Sequence, residues 1–285
     1  MSVFQGYGQE ELDRQYDQSK WSVNAPKFYE ERYRALSDLA RDRLGAPQEF
    51  AHGATQAERL DVYRAAGELS PIVIFIHGGA WRSLDKSLSA FAAEFFVGHG
   101  VCYVAINFGL MPDVTMPDLV DQVRRSLLWV YENAQEIGGD ANRIHIIGHS
   151  SGAHLAACAA VTNWQAKYGK PRDMVKSAIC ISGAYDLEAV QKSARNTYMS
   201  LTDEMVQAYS PNRHVTNLGC ELVLAVGSLE SNEFRRQSEE FARVAGVPLH
   251  VEPDCDHFQI SFTLAESSAP LAKTALALIA SQANT

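Results

Sequence analysis

The sequence predicts an α/β fold: a mostly parallel central sheet with helices on both faces. Two observations carry that prediction. Short β-rich runs alternate with helical patterns from residue 59 onward, the order expected of right-handed βαβ crossovers. One of the runs, "PIVIFIH" (71–77), is apolar at almost every position, as a strand covered on both faces requires. A chain of 285 residues that is 46% hydrophobic can bury a large core, and α/β folds often reach this length as one domain. A single domain over 1–285 is therefore expected.

The elements follow in order. Residues 1–50 read as a helical, polar N-terminal segment. In "NAPKFYEERYRALSDLARDRLGAP", Tyr29, Tyr33, Leu36, Ala40 and Leu44 recur at helical spacing. Asn24 is the expected cap, Pro26 falls in the first turn, and Gly45 with Pro47 marks the stop. Strand candidates are then "RLDVYRA" (59–65), 71–77, "VCYVAINF" (101–108), "RIHIIG" (143–148), "SAICISG" (177–183), "ELVLAVG" (221–227) and "PLHVE" (248–252). Helical stretches such as "MPDLVDQVRRSLLWVYENAQEIG" and "SNEFRRQSEEFARVAG" lie between them. In sheets of this kind, chemistry gathers at the C-terminal ends of the strands.

Composition narrows the function classes. A net charge of -9 offers no basic face to neutralise phosphates, which argues against a nucleic-acid partner. The five cysteines are scattered with no C-x-x-C pair, mostly in apolar runs, so reduced, buried thiols are expected. The start, "MSVFQGYGQEELDRQ", has no signal-peptide pattern. No apolar run approaches the roughly 18 residues needed to span a bilayer. The expectation is a soluble, cytoplasmic protein with no membrane partner.

The most informative stretch is "RIHIIGHSSGAHLAACAA" (143–160). Gly148-His149-Ser150-Ser151-Gly152 fits G-x-S-x-G at a strand-to-helix junction. Small residues two before and two after the central serine let the turn bend sharply and hold that serine's hydroxyl exposed. The frame selects Ser150 as candidate nucleophile, because Ser151 would need glycines where His149 and Ala153 stand. Ser151 would then contribute its backbone N–H.

A serine hydroxyl needs a base, and the base needs an orienting carboxylate, in the chain order Ser, Asp/Glu, His. His257, in "EPDCDHFQI", follows the last strand candidate and could reach back over the sheet. His145 lies inside a strand, and His149 and His154 flank the turn, where structural roles fit better. His99, His214 and His250 lack a strand-end loop context, and His52 comes before the sheet proper. For the acid, "AVGSLESNEF" offers Glu230, three residues past the strand-ending Gly227, and Glu233, in a first helical turn where an acid is favourable for the dipole alone. Glu230 is preferred on strand-end geometry, with Glu233, Asp186, Asp254 and Asp256 as rivals.

Charge developing on an attacked carbonyl oxygen needs preorganised donors. The Ser151 N–H is one, at a helix N-terminus. The others should come from "HGGAW" (77–81), where Gly78 and Gly79 let the N–H groups of Gly79 and Ala80 face the site. His77 reads as structural.

These residues resemble the α/β-hydrolase superfamily, and within it the kynurenine formamidase (arylformamidase) branch of the hormone-sensitive-lipase-like hydrolases. His77-Gly78-Gly79-Ala80-Trp81 is similar to that branch's H-G-G-x-W, and the turn 148–152 to its nucleophile elbow. "VGSLESNEFRRQSEEFA", "DHF" (256–258) and "LDRQYD" (12–17) look like further segments of it. The resemblance implies hydrolysis of an N-formyl aryl amine such as N-formylkynurenine, with no metal or organic cofactor. It implies Ser150 as nucleophile and His257 as base, with an aromatic small molecule as substrate. A homodimer is common in the superfamily, though nothing in the sequence demonstrates one.

Three departures from the branch stand out. Glu230 replaces the usual aspartate, Ser151 a common alanine, and Phe108 a frequent tyrosine in a loop expected to border the substrate. Trp81, Phe108, Tyr16, Trp21 and Tyr198 could line an aryl pocket, with core packing an equal alternative for each. The N-terminal helix and residues 187–215 are candidate covers over the site. Arg195 there could pair with a substrate carboxylate, although a solvated charge is the reading its residue type favours. The rival activities are a carboxylesterase or a hydrolase of small aryl amides or carbamates. A non-catalytic ligand-binding module on the same scaffold is a third class.

Overall fold

The computed structural model describes residues 2–281. Eight strands form one sheet: β1 (Gln48–Ala51), β2 (Arg59–Tyr63), β3 (Ser70–Ile76), β4 (Cys102–Ile106), β5 (Gly139–His149), β6 (Ser177–Ile181), β7 (Glu221–Gly227) and β8 (Leu249–Glu252). Their order is β1-β2-β4-β3-β5-β6-β7-β8. β1 and β2 are antiparallel to their neighbours, and all pairings from β4 through β8 are parallel. The helices are α1 (Gln9–Tyr16), α2 (Pro26–Leu44), α3 (Ala93–Gly98), α4 (Met116–Glu132), α5 (Ser151–Ala160) and α6 (Trp164–Tyr168), then α7 (Leu187–Lys192), α8 (Asn196–Met199), α9 (Asp203–Tyr209), α10 (Asn232–Ala245), α11 (Gln259–Phe262) and α12 (Pro270–Ser281).

Strand alternation divides the core between the two faces. Ile72, Ile74 and Ile76 of β3, Val104 of β4 and Leu224 of β7 pack on one face with Leu119 of α4, Leu155 of α5 and Phe234 of α10. Val73 and Phe75, Tyr103 and Ala225 pack on the other with Tyr29 and Tyr33 of α2, Phe96 of α3 and Leu271 of α12. Both faces are buried, which is why these strands read as unbroken apolar runs.

Two expectations for the N-terminal segment are corrected. Residues 48–51 are the edge strand β1, not part of a helical segment; "QEFA" is short, half polar and largely exposed, so it carries no apolar strand signal. The cap of α2 is Ala25 rather than Asn24, and it makes no side-chain capping bond. Pro26 occupies the first turn, where its missing N–H costs nothing. Asn24 instead bonds the Tyr29 hydroxyl through its backbone N–H and side-chain amide.

The parallel register aligns the ends that matter. Ile76 pairs with Gly148, His149 with Ile181, Ile181 with Ala225, and Gly227 with Glu252. The chain therefore leaves β3, β5, β6, β7 and β8 along one edge, bringing His77, Ser150, Ser182, Glu230 and His257 to the same end of the sheet. Among the described residues, no helix is long and apolar enough to cross a membrane.

Candidate active site

Ser150 occupies the sharp turn between β5 and α5 with φ 56° and ψ -122°, a backbone conformation that costs a non-glycine residue on the order of 1–3 kcal/mol. Its N–H donates to the Ile181 carbonyl at 2.8 Å, which ties the strained residue to the neighbouring strand. The flanking glycines have a steric cause. A Cβ at Gly148 would sit 2.2 Å from the Gly152 carbonyl oxygen, and one at Gly152 would sit 2.1 Å from that of Ile76. The turn can close only with both side chains missing.

The three residues favoured by sequence meet in one hydrogen-bonded line. Ser150 Oγ lies 2.9 Å from His257 Nε2, and His257 Nδ1 lies 2.7 Å from Glu230 Oε2. A carboxylate can only accept, so the proton sits on Nδ1, leaving the Nε2 lone pair to accept from the serine hydroxyl. The other Glu230 oxygen accepts from the Gly227 N–H at 2.8 Å and from the Ser182 hydroxyl. Glu230 and His257 are both buried, and Phe234 and Phe258 pack edge-on against the His257 ring. In this setting the hydroxyl can be deprotonated as it attacks, and the imidazolium that forms faces a fixed carboxylate.

The rival acids are engaged elsewhere. Glu233 sits in the first turn of α10, pairs with Arg236 at 2.7 Å and accepts from the Tyr16 hydroxyl at 3.2 Å. Asp186 caps α7 and pairs with Arg213 at 2.8 Å. Asp256 is turned away from His257: it accepts from the Tyr29 hydroxyl and from the Val23 N–H, pinning the N-terminal segment to this loop. Asp254 is exposed on the surface.

The histidines set aside have packing partners of their own. His149 Nε2 donates to the His257 carbonyl at 2.7 Å, and burial with the nearby His257 pushes its pKa down to about 3. It thus supports the His257 loop as a neutral ring. His154, held down to about 4 by burial, binds the Tyr209 carbonyl and accepts from the Trp81 indole N–H at 3.3 Å. His145 inside β5 meets the Ser177 hydroxyl, and burial holds it down to about 4 as well. His77 binds the Gly78 carbonyl and the Asn107 side chain, fixing the loop that follows β3.

That loop passes beside the serine: a Cβ at Gly78 would lie 3.0 Å from Ser150 Cβ. Gly79 has φ 109°, and a Cβ there would collide with the Ser83 carbonyl oxygen at 2.0 Å. Ala80 and Trp81 follow with φ 53° and 60°. These three consecutive residues make a tight turn, closed by the Arg82 and Ser83 N–H groups donating to the Gly79 carbonyl at 3.0 Å each. The Ser151 N–H lies at the start of α5. The Ser151 hydroxyl is buried and has no hydrogen-bond partner among the described residues.

Ser150, His257 and the 77–80 loop open into a cavity of about 630 Å³. Its walls include Tyr16, Tyr29, Tyr33, Phe91, Phe258, Arg82, Arg195 and Tyr198. Of residues 187–215, only positions between 194 and 198 reach it; α9 packs on α4 instead. Tyr198 donates its hydroxyl to the Ala80 carbonyl at 3.1 Å, which ties α8 to the glycine loop.

Two expected pocket residues are corrected. Trp81 is buried against His154 and directs its indole N–H to that ring. Phe108 is buried in a stack with His77, ring centroids 4.3 Å apart. Neither lines the cavity, because both brace the glycine loop from behind. Trp21 is also outside it, donating to the Arg14 carbonyl. Sequence reading missed Tyr29, Tyr33 and Phe258 as wall residues and Ser182 as a holder of Glu230. Arg195 is not a freely solvated charge: it is half-buried at the cavity wall.

The strand order, the strained serine at the β5 end and the carboxylate and histidine beyond β7 and β8 define an α/β-hydrolase. The BD-FAE family model matches residues 60–243. A kynurenine formamidase of Danio rerio is 32% identical, with the alignment covering 98% of this chain and 99% of that protein. Among solved structures, a Silicibacter sp. TM1040 protein has a TM-score of 0.84 at 22% identity, covering 95% of this chain and 99% of that one. A Pyrobaculum calidifontis esterase has a TM-score of 0.73 at 18% identity, covering 90% and 91%. The chain belongs to the BD-FAE family of α/β-hydrolases and is a kynurenine formamidase-like hydrolase.

Proposed function

We propose that this hydrolase cleaves an N-formyl aryl amine such as N-formylkynurenine, giving the free amine and formate. The observation that carries the reading is the Ser150–His257–Glu230 line at the floor of an aromatic-walled cavity. The near full-length similarity to a kynurenine formamidase supports the choice of substrate.

In the first half-reaction Ser150 Oγ attacks the formyl carbon as its proton passes to His257 Nε2. The N–H groups of Gly79, Ala80 and Ser151 receive the oxyanion; each such donor typically contributes about 3 kcal/mol to the transition state. His257 then delivers its proton to the departing aryl nitrogen, the C–N bond breaks, and the amine leaves. Water, deprotonated by the same histidine, attacks the formyl ester, and His257 returns that proton to Ser150 Oγ as the ester C–O bond breaks and formate leaves. Glu230 holds the ring in one tautomer throughout and stabilises the imidazolium.

A carboxylesterase is the second reading, favoured by the shared fold of the esterase neighbour and by the identical demands that ester and amide carbonyls make on the oxyanion site. Side-by-side kinetics on N-formylkynurenine and 4-nitrophenyl acetate separate the two. The proposal expects the larger kcat/KM on the formamide. A value below about 10² M⁻¹s⁻¹ there, far under that of typical enzymes, with efficient ester cleavage, rejects it in favour of the esterase.

A further inference from the structure

Among the described residues, Arg195 is the one half-buried cation on the cavity wall that the proposed reaction leaves unused. Its guanidinium donates to the Tyr16 carbonyl at 2.6 Å and faces the rings of Tyr16, Trp81 and Phe234 at 5.3, 5.9 and 6.0 Å. Among the described residues it forms no ion pair with a carboxylate. Asp17, an acid on the same wall, attracts Arg195 only from beyond ion-pair distance, and its Oδ1 accepts from the Ser19 N–H and hydroxyl. A second arginine, Arg82, lies over the Tyr198 ring at 4.6 Å and also lines the cavity.

Removing a guanidinium from water without a counter-ion is costly, and aromatic faces recover only part of that cost. The group stays charged near neutral pH and keeps donors in a planar fork that matches a carboxylate. Its place is fixed independently of any ligand. Arg195 immediately precedes α8, whose Tyr198 is tied to the Ala80 carbonyl, so the cation stands over the same loop that borders Ser150.

We infer that Arg195 is a specificity-determining residue that receives a carboxylate on the leaving-group side of the substrate, so that the preferred aryl amine bears an acid. The inference deepens the formamidase reading and rests on it for the choice of ligand. The carboxylate would complete the missing charge pair at the wall while the scissile carbonyl lies at Ser150. Arg82, more exposed, adds positive field at the same end.

The test uses product-like inhibitors of 4-nitrophenyl acetate hydrolysis, which keeps it separate from formamide turnover. Kynurenine carries the carboxylate; kynuramine has the same aryl ketone and ammonium without it. The native protein should bind kynurenine at least tenfold more tightly than kynuramine. In Arg195→Met that ratio should fall at least tenfold, towards one, and Arg195→Lys should restore part of it. Equal inhibition by the two compounds in the native protein overturns the inference, as does a complete lack of inhibition by both. An unchanged ratio in Arg195→Met, with both affinities weakened together, also overturns it and assigns Arg195 to holding Tyr16 in place. Failure of the formamidase reading shows differently, as absent N-formylkynurenine turnover while the inhibitor ratio persists.

Discussion

At the floor of the cavity, Ser150, Glu230 and His257 follow the parallel strands β5, β7 and β8 at one end of the sheet. Around the walls, Tyr16, Tyr29, Arg195 and Tyr198 come from the N-terminal segment and from the 194–198 turn. These wall segments lie outside the sheet, held by a few bonds such as Tyr29 to Asp256 and Tyr198 to Ala80. The difference teaches where reaction and substrate are decided. The floor is built from close backbone approaches that tolerate little change, so it fixes the chemistry. The walls are side chains from outside the strands, on α1, α2 and the 194–198 turn, and so they are where specificity is expected to be set.

The sharpest way to break this division is at the two glutamates three residues apart. Glu230→Ala should lower kcat by about 10⁴-fold, the usual consequence of losing the residue that holds the histidine's tautomer. Glu233→Ala should lower kcat less than about tenfold and act on stability instead. It strands the partly buried Arg236 and the Tyr16 hydroxyl, an effect of about 3 kcal/mol. Steady-state kinetics and denaturant unfolding on both variants separate the roles. The reverse pattern would move the acid to Glu233.

A smaller effect should come from the wall. Tyr198→Phe removes the hydrogen bond to the Ala80 carbonyl, worth about 1 kcal/mol. The expected result is a fall in kcat/KM of about fivefold, with thermal stability nearly unchanged. A loss as large as that of Glu230→Ala would place Tyr198 in the chemistry and erase the distinction between floor and wall.

The last effect concerns pH. His145, His149 and His154 lie under the floor with pKa values held down to about 4, 3 and 4 by burial, against about 6.5 in an unfolded chain. Between those values the unfolded chain binds the extra protons, so their contribution to stability is complete above pH about 6.5 and declines as pH falls towards 4. Unfolding free energy measured from pH 7.5 to 4.5 should drop on acidification, and His145→Asn should flatten the slope. A slope that this variant leaves unaltered contradicts the assignment.

What could be read in the sequence follows the same division. Gly148 and Gly152 frame Ser150 because any other residue collides with a neighbouring carbonyl, and that constraint is written into the residue types. The chain order Ser, acid, His pointed to His257, while Glu230 had to be preferred over Glu233, Asp186, Asp254 and Asp256 on strand-end geometry alone. Trp81 and Phe108 misled because an aromatic residue's type does not say which side of a loop it packs on; both brace the loop from behind. Tyr29 and Tyr33 looked like a helix's buried stripe, which they are, but the stripe also continues into the cavity wall. Ser182 at the end of β6 belongs to no motif, and only the fold brings it to Glu230.

Labelling with a fluorophosphonate followed by peptide mass analysis tests the central claim most directly, because it asks which of the two adjacent serines carries the nucleophilic hydroxyl. The account predicts one adduct, on Ser150, formed rapidly in the native protein and strongly slowed in His257→Ala. An adduct on Ser151, or no adduct in protein that is folded, would contradict it.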